Sequence, residues 1–446
     1  MKQSQLNEIL KKIHMSKAVA YSVGGTVIDN ILGIDSKDLD IEVFGITLKE
    51  LRECLDFCSV QYKEVGEKFG VIKFSVDGID IDMSIPRTEN KIGVKHQDFD
   101  IQLNPFLSIS EACKRRDLTI NSMCKSLLDG SIHDPYGGLK DLFQGVIKHT
   151  DDKTFIEDPL RVLRIMQLLP RKGKIVSPDT IKICKSMSDK FNTISKERVF
   201  EEFNKLLLKA DKPSMGLEFL RECDWIQHFP ELNNLIGCEQ NPKWHPEGDV
   251  WIHTMMVLDN AAKLRKHVPE NKKLAYMYAA LLHDIGKPAT TTLELKSPGH
   301  AEHGANLTFD FMNRITNTKD LINDIVTMVN LHMRPSQLFL AKAGVSAWKR
   351  LHKTYNLEML GWLSKADSAG RTGRTIEDYH EPSLVCFTYN AEFGVLEKIV
   401  KGADLIELGF KPSPLFTTIL DYAYNLQLDG ENDKKSLICQ IKSKFL

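Results

Sequence analysis

The hydrophobic pattern of this chain changes partway along its length. Between about residues 17 and 86, the β-prone runs AVAYSV, DIEVFGI, GVIKFSV and IDIDMSI alternate with a helix-like stretch near residues 48–58, which is typical of a small mixed sheet. From about residue 117, segments such as EDPLRVLRIMQLLP and SKERVFEEFNKLLLKA place apolar residues on one helical face. The sequence therefore predicts an α+β fold, with a small mixed β-sheet head followed by a mainly α-helical remainder.

Composition limits the class of protein. The 446 residues include 59 Lys and Arg against 60 Asp and Glu, a net charge of -1, so no global cationic excess points to nucleic acid, although a local basic groove is compatible with it. No apolar run approaches the roughly 20 residues that span a bilayer, and the N-terminal segment has no signal-peptide core. The nine cysteines are scattered without a CxxC pair. We expect a cytoplasmic protein with reduced thiols and no membrane partner.

Two glycines and two acids form the first candidate site. Gly24 and Gly25 follow the run AYSV and precede the helix-like VIDNIL, so open backbone N–H groups at a helix start can cradle a triphosphate. Asp38 and Asp40 are two apart on an extended segment, and their carboxylates therefore project from one face and can hold Mg²⁺. Two such ions would activate an attacking hydroxyl and stabilise a leaving pyrophosphate. Solvated strand acids are the alternative interpretation.

A metal site of this kind calls for a third acid. Asp82 lies in IDIDMSIP on a later predicted strand and can approach the first pair, while Asp80 shares its face and is the less favoured choice. We therefore expect Asp38, Asp40 and Asp82 to be the catalytic acids of the head.

The segment KRRDLTIN is a candidate for binding the rest of a nucleotide. Arg115 and Arg116 can grip phosphate through their planar guanidinium groups, and the Asp117 carboxylate can accept a hydrogen bond from a ribose hydroxyl. Asn121 ends the segment and is assigned to the same nucleotide-binding group. A solvated, charged helix end is the alternative interpretation.

A further acid and arginine share one helix face. Asp158 and Arg161 are three residues apart in EDPLRVLR, where Pro159 in the first turn costs the helix little. A guanidinium beside a carboxylate presents donors and an acceptor in a fixed pattern, which can match the Watson–Crick edge of a base. An ordinary intrahelical ion pair explains the spacing equally well.

Histidines concentrate in the next region. In YAALLHDIGKP an apolar helix delivers the neighbouring His283 and Asp284 into a pocket, with His253 upstream and Asp367 downstream. These nitrogen and oxygen ligands predict a metal site in which His283 and Asp284 are catalytic. Three more histidines either extend the site to a second metal or phosphate or have surface and packing roles: His300, His303 and His332.

Several of these motifs occur in a familiar order. GGTVIDNILG with KDLDIEVFG, then KRRDLTINSM, HDPYGGLKDL, EDPLRVLRIMQLL and SKERVFEEFNKLL resemble the class II tRNA nucleotidyltransferase and bacterial poly(A) polymerase superfamily over roughly residues 20–210. The resemblance implies template-independent transfer of CMP and AMP from CTP and ATP onto the 3′ end of tRNA, with Mg²⁺. It assigns the metal to Asp38 and Asp40 and base reading to Asp158 with Arg161. It also assigns nucleotide contacts to Gly25, Arg116, Arg161 and Arg164.

One position departs from that pattern. The superfamily usually has Arg where GGTVID has Ile28, so an expected triphosphate contact is removed.

The histidine region has a resemblance of its own. HPEGDVWIHTMMVLDNAA and KADSAGR, with the His-Asp pair between them, are similar to the HD phosphohydrolase domain of one bacterial branch of CCA-adding enzymes over about residues 245–371. The resemblance implies phosphatase, 2′-nucleotidase and 2′,3′-cyclic phosphodiesterase activities that clean RNA ends. It also implies a divalent metal, Ni²⁺, Mn²⁺ or Mg²⁺, held by His253, His283, Asp284 and Asp367.

Together these patterns predict four regions and three competing functions. The regions are a nucleotidyltransferase head (1–135), a helical neck and body (136–240), an HD domain (241–374) and a helical C-terminal tail (375–446). The leading function is CCA addition to the tRNA acceptor end from CTP and ATP, with an HD hydrolase. One alternative adds only A residues, as an A-adding enzyme or poly(A) polymerase. In the other, the head is an inactive RNA-binding platform for the hydrolase.

Overall fold

The computed structural model describes residues 5–34, 38–65, 70–91, 93, 99–394 and 397–446. Contacts divide the chain into two compact units, Met1–Pro230 and Glu231–Leu446. In the described ranges, none of the helices combines the length and the apolar character needed to cross a lipid bilayer.

The first unit opens with the mixed β-sheet head. Its elements, in chain order, are α1 (Gln5–Met15), β1 (Val19–Val23), α2 (Gly25–Ile31), β2 (Asp38–Phe44), α3 (Leu48–Phe57), β3 (Lys63–Val65), β4 (Val71–Val76), β5 (Ile79–Ser84), β6 (Arg87–Lys91), β7 (Phe99–Leu103), α4 (Ile109–Lys114), β8 (Cys124–Ser126), β9 (Ile132–His133) and α5 (Gly138–Gln144).

A seven-stranded sheet in the order β3-β4-β5-β2-β1-β8-β9 forms the centre of the head. The β2 and β5 strands are parallel, and the other neighbours are antiparallel. The four predicted β-runs form β1, β2, β4 and β5, so the α+β prediction is confirmed. Because β2 lies between β1 and β5, its side chains have neighbours on both sides.

Two helices of the head begin with reciprocal caps. In α3 the Thr47 side chain accepts from the Glu50 N–H while the Glu50 carboxylate accepts from the Thr47 N–H. The α4 helix has the same arrangement between Ser108 and Glu111. Since α4 ends at Lys114, the arginines of KRRD follow directly after it.

The rest of the first unit is mainly helical. It contains β10 (Val146–Ile147), α6 (Asp152–Phe155), α7 (Leu160–Lys172), β11 (Ile175–Val176), α8 (Pro178–Ser186), α9 (Lys196–Lys209) and α10 (Ser214–Glu222). The α7 helix buries Leu163 and Met166 and packs against α9 and α10. Pro159 is the N-cap of α7 rather than part of its first turn. Ser195 is the N-cap of α9, but its side chain makes no capping hydrogen bond.

The second unit is built from helices. They are α11 (Pro230–Asn233, which begins at the boundary), α12 (Val250–Leu264), α13 (Lys273–Leu282), α14 (Lys287–Thr290), α15 (His300–Ile315), α16 (Lys319–Leu331), α17 (Arg334–Leu340), α18 (Val345–Thr354), α19 (Leu357–Ala369), α20 (Glu381–Phe393), α21 (Gly402–Glu407), α22 (Leu415–Leu428) and α23 (Lys434–Phe445).

Helix α13 is the centre of this unit. Every residue from Ala275 to Leu282 is buried, because α12, α16 and α19 all pack against the helix. Its C-terminal end therefore delivers the following His283 and Asp284 into the interior. The helices α21, α22 and α23 bury a separate apolar cluster that includes Leu405, Ile419 and Leu437.

Candidate active sites

Four acids lie side by side on one face of the head sheet. In the parallel register of β2 and β5, Asp38 is opposite Asp80 and Asp40 is opposite Asp82. The alternation of a strand puts all four on the same face. The structure therefore brings Asp82, the favoured third acid, beside Asp40, and places Asp80 beside Asp38.

The surroundings of these acids set their charge. Lys73 on β4 pairs with Asp82, and Ser75 donates to Asp80. Partial desolvation, and then repulsion from Asp82, raise the pKa of Asp40, while Arg116 and Lys73 oppose the increase. A cavity of about 870 Å³ is lined by this face, including Asp38, Asp40 and Asp82. Crowded carboxylates beside an open cavity suit a divalent cation.

The glycine turn closes one side of this face. Gly24 has φ 67°, a left-handed conformation that favours glycine. A Cβ there would lie 3.6 Å from both Arg116 Nη1 and Asp40 Oδ2, whereas Gly25 faces open space. Thr26 ties the turn to β2, because its Oγ1 donates to the Asp38 carbonyl and accepts from the Asp40 N–H.

Ile28 takes no part in this turn. Its side chain is 1% exposed and belongs to the buried face of α2 with Val27. In this chain the position expected to carry a phosphate-binding arginine contributes to the core.

Glu42, which the sequence analysis missed, holds the two arginines of KRRD. Arg115 Nη2 donates to its Oε1 at 2.8 Å and Arg116 Nη2 to its Oε2 at 3.2 Å. Burial raises the pKa of Glu42, but the two guanidinium groups outweigh burial and keep the pKa below its usual range. The sequence pattern that could have indicated Glu42 is its i, i+2 spacing, because it follows Asp38 and Asp40 on the same face of β2.

Asp117 joins the same region to helix α7. Its carboxylate accepts from Arg164 Nε at 2.6 Å and from Asn121 Nδ2 at 2.9 Å. Although burial opposes it, these partners hold the pKa of Asp117 at about 2. The structure thus brings Asp117, Asn121 and Arg164 together.

Asp158 and Arg161 are linked through the backbone at the start of α7, because the Arg161 N–H donates to the Asp158 carbonyl at 3.1 Å. The Arg161 guanidinium donates to the carbonyls of Thr154 at 2.9 Å and Arg115 at 2.6 Å. The Asp158 carboxylate accepts from the Leu160 N–H at 3.0 Å. Arg161 and Arg164 therefore both connect α7 to the segment 115–117.

The second unit gathers the predicted metal ligands. His253 Nε2 lies 3.1 Å from Asp367 Oδ1 and 3.8 Å from Asp284 Oδ2, and His283 Nε2 lies 3.2 Å from the same Asp284 oxygen. The ligand atoms of His253, His283 and Asp367 all lie within 4.8 Å of one another. Helices α12, α13 and α19 supply or deliver these side chains.

A second group of ligands faces the other oxygen of Asp284. His300 Nε2 is 3.4 Å and His332 Nε2 is 3.8 Å from Asp284 Oδ1, and the two Nε2 atoms are 3.3 Å apart. His303 lies exposed on α15, outside this group.

Main-chain carbonyls orient three of the imidazole rings. The Nδ1 atoms of His283, His300 and His332 contact carbonyl oxygens at 2.9, 2.7 and 2.7 Å. A carbonyl only accepts, so Nδ1 carries the proton and Nε2 of a neutral ring keeps its lone pair. His283 Nε2 is buried and makes no hydrogen bond. Converging lone pairs around a carboxylate are the arrangement that a metal ion satisfies.

Two further groups of this site escaped the sequence analysis. Glu247 Oε1 accepts from Nδ1 of both His245 and His253 at 2.8 Å, which turns His253 Nε2 toward the ligands. Lys287 Nζ contacts Asp284 Oδ2 at 2.7 Å and donates to Gln240. Sequence spacing indicates both groups, because Glu247 follows His245 by two residues and Lys287 follows Asp284 by three.

Charges around the buried groups shift their pKa values. Burial raises the pKa of Asp284, but His283 and Lys287 outweigh burial and hold the pKa well below its usual range. Burial lowers the pKa of His332 to about 4, with His283 adding to the effect. Asp284 is thus an anion around which His332 stays neutral and available as a ligand.

Family models match three segments of the chain. The poly A polymerase head domain matches residues 20–148, the probable RNA and SrmB-binding site of polymerase A matches residues 175–236, and the HD domain matches residues 250–368. The first and last of these contain the two groups of acids and histidines described above.

Among solved structures, the likeness is one of fold. The structure of a CCA-adding enzyme in apo form II matches with a TM-score of 0.66 at 20% identity, covering 98% of this chain and 94% of that one. The Thermotoga maritima CCA-adding enzyme complexed with tRNA matches with a TM-score of 0.62, also at 20% identity and with coverage of 98% and 94%.

Curated relatives match across both units. The multifunctional CCA protein of Vibrio campbellii is 32% identical over 400 residues, which cover 85% of this chain and 93% of that protein. The multifunctional CCA protein of Tolumonas auensis is 31% identical over 405 residues, covering 87% and 93%. The resemblance drawn from the sequence is therefore confirmed, and this chain belongs to the family of multifunctional CCA proteins.

Proposed function

We propose that the chain adds CMP and AMP, from CTP and ATP, to the 3′ end of tRNA without a template strand. The observation that carries this proposal is the pairing of Asp40 with Asp82 beside the Gly24 turn and Arg116. The acids for a metal line one cavity, and Arg116, a cation for phosphate, lies beside the adjoining glycine turn. Because tRNA is its substrate, the location proposed for this activity is the cytoplasm.

The acids of the head are proposed to hold Mg²⁺. Asp38, Asp40 and Asp82 share one face, and mutual repulsion contributes to the raised pKa of Asp40, which a cation would relieve. When bound, Mg²⁺ would stabilise charge on the attacking 3′ hydroxyl and the leaving pyrophosphate.

Side chains of the KRRD segment are proposed to bind the triphosphate and ribose. Arg116 Nη1 stands beside the Gly24 turn, so it can donate to phosphate while its Nη2 remains on Glu42. Asp117 is fixed by Arg164 and Asn121, which orient its carboxylate for a ribose hydroxyl.

Base selection is proposed to depend on Arg161 and Asp158. Arg161 uses two of its five N–H donors on the carbonyls of Thr154 and Arg115. Its remaining donors can bind an acceptor on the base while these two bonds hold the guanidinium in place, so protein groups replace a template strand.

The second unit is proposed to be a phosphohydrolase with two divalent ions that share Asp284. One site comprises His253, His283, Asp367 and Asp284 Oδ2, and the other comprises His300, His332 and Asp284 Oδ1. Imidazole nitrogens suit Ni²⁺, and the carboxylates Asp284 and Asp367 suit Mn²⁺ or Mg²⁺. When bound, the ions would supply a nucleophile from water and polarise the phosphate. The proposed activities are 2′,3′-cyclic phosphodiesterase, 2′-nucleotidase and phosphatase.

Two other functions compete with this one. Addition of A alone has no particular support in the geometry, and the relatives are named CCA proteins. An inactive head draws its support from Ile28, yet the acids, the glycine turn and Arg116 retain their arrangement around that buried side chain.

One set of assays tests the proposal. The purified protein is incubated with tRNA lacking its 3′ end plus labelled CTP and ATP, and separately with RNA ending in a 2′,3′-cyclic phosphate in Ni²⁺, Mn²⁺ or Mg²⁺. We expect ordered C, C, A incorporation and hydrolysis of the cyclic phosphate. Incorporation of A alone would support the A-adding alternative, and no incorporation with intact hydrolysis would support the inactive head. Absence of hydrolysis in all three metals would contradict the hydrolase half.

A further inference from the structure

Glu42 is a buried carboxylate in the middle of the head sheet. Its side chain has no exposed surface, and both of its oxygens are bound by guanidinium groups from the segment after α4. Buried ion pairs add little net stability over apolar packing of the same volume. Stability alone therefore gives little reason for an acid at this position.

The position of Arg116 shows what the carboxylate does. Nη2 of Arg116 donates to Glu42. A Cβ built on Gly24 would lie 3.6 Å from Nη1 of Arg116 and 3.6 Å from Oδ2 of Asp40, so both atoms border the Gly24 turn. Among the described residues, no ion pair joins Arg116 to Asp40. The guanidinium is thus close to the metal-binding acid but bound to a different carboxylate.

We propose that Glu42 is a positioning residue that keeps Arg116 off Asp40. Asp40 then stays open to Mg²⁺, and Nη1 of Arg116 stays open to the triphosphate. This inference rests on the proposed nucleotidyl transfer. Arg115 extends the arrangement, because its side chain binds Glu42 while its carbonyl accepts from Arg161 of the base-reading helix.

Loss of the Glu42 charge has a defined consequence. In Glu42→Gln the two arginines lose their counter-charge, and Asp40, which lies beside the same glycine turn and interacts electrostatically with Arg116, can take its place as a partner for Arg116. An arginine on Asp40 competes with Mg²⁺ and withdraws a donor from phosphate. Higher Mg²⁺ concentrations should displace it, whereas general destabilisation of the head would not be reversed by Mg²⁺.

The test measures binding rather than turnover. Equilibrium dialysis with labelled CTP, in the full-length chain without tRNA, is carried out over a range of Mg²⁺ concentrations. We expect Glu42→Gln to raise the CTP Kd about tenfold at low Mg²⁺, which is the effect of losing one charged hydrogen bond. The Kd should return toward the wild-type value as the Mg²⁺ concentration rises. Glu42→Asp keeps the charge but is too short to reach both arginines, so its shift should be intermediate.

A matched control lies in the second unit. Glu231 is a buried acid that binds Arg314 through two hydrogen bonds at 2.5 and 2.6 Å, so Glu231→Gln removes a comparable ion pair away from the head and should leave CTP binding unchanged. Unaltered CTP and Mg²⁺ dependence in Glu42→Gln, or a loss of binding that Mg²⁺ does not reverse, would overturn the inference. If Glu42→Gln does not fold, CTP binding by Glu42→Asp that equals that of the wild type would overturn the inference. A wild-type chain that binds neither CTP nor ATP would contradict the proposed function instead.

Discussion

At the scale of single residues, buried carboxylates organise both sites. Glu42 and Asp117 fix arginines in the head, and Asp284 and Glu247 fix histidines in the second unit. Each has a pKa below its usual value because cationic or donating partners outweigh the effect of burial. These groups are therefore charged at neutral pH, and each charge orients a functional side chain.

Asp117 gives a prediction for pH-dependent stability. Arg164 and Asn121 hold its folded-state pKa at about 2, below the unfolded value of about 3.9. The stabilisation is fully present above about pH 4 and is lost as the pH falls toward 2. Asp117→Asn should lower the free energy of unfolding by about 2–3 kcal/mol at pH 7 and by progressively less below pH 4.

Urea denaturation followed by circular dichroism measures this difference. Asp211→Asn is the control, because Asp211 is an exposed acid of the same unit and its substitution should change the free energy of unfolding by no more than about 0.5 kcal/mol. A difference between wild type and Asp117→Asn that stays constant from pH 7 to 2 would show that the charge of Asp117 is not what stabilises the fold.

At the scale of elements, the second proposed metal site depends on how closely α15 approaches the end of α13. A Cβ on Gly286, two residues after Asp284, would lie 2.1 Å from the carbonyl oxygen of His300 and 2.6 Å from the Gly304 nitrogen. Only glycine allows this contact. The start of α15, and with it His300, is held in place by that close approach.

Gly286→Ala should therefore displace His300 and abolish binding at one of the two proposed metal sites. After loading with Mn²⁺ or Ni²⁺ and desalting, elemental analysis should give about two tightly bound ions per wild-type chain and about one per variant. Gly344→Ala is the control, since nothing lies within 4 Å of a Cβ at that position. Two retained ions in Gly286→Ala would contradict the assignment of His300 as a ligand.

At the scale of the whole molecule, the chain carries two candidate sites in two compact units. The residues of each site come from one unit only, with Asp40 in the first and Asp284 in the second. The two chemistries should therefore be separable by single substitutions.

Asp40→Asn should lower nucleotide incorporation at least about 100-fold while leaving hydrolysis intact, because it removes a charge proposed to bind Mg²⁺ and keeps the side-chain shape. Asp284→Asn should have the reverse effect. Both activities are measured on the same preparations, with wild type as the reference. Loss of both activities in either variant, with its circular dichroism spectrum unchanged, would show that the sites are not independent.

Local patterns explain what the sequence predicted correctly. The alternation in DLDIEVF placed Asp38 and Asp40 on one strand face, and the helical period in YAALLHDIGKP placed His283 and Asp284 at the end of a buried helix. Such patterns depend on neighbours only a few residues away. For that reason strands, helices and the order of motifs were accessible without a structure.

Tertiary packing decided which of those residues meet. The parallel register of β2 and β5 put Asp82 beside Asp40. Packing of the segment after α4 against the sheet brought two arginines to the buried Glu42. Packing of the second unit brought His300 and His332 to Asp284 and left His303 exposed. The sequence by itself determined the element types, the motif acids and the family. The meeting of distant groups was settled only by the fold, because the register of strands and the approach of helices depend on contacts between residues far apart in the chain.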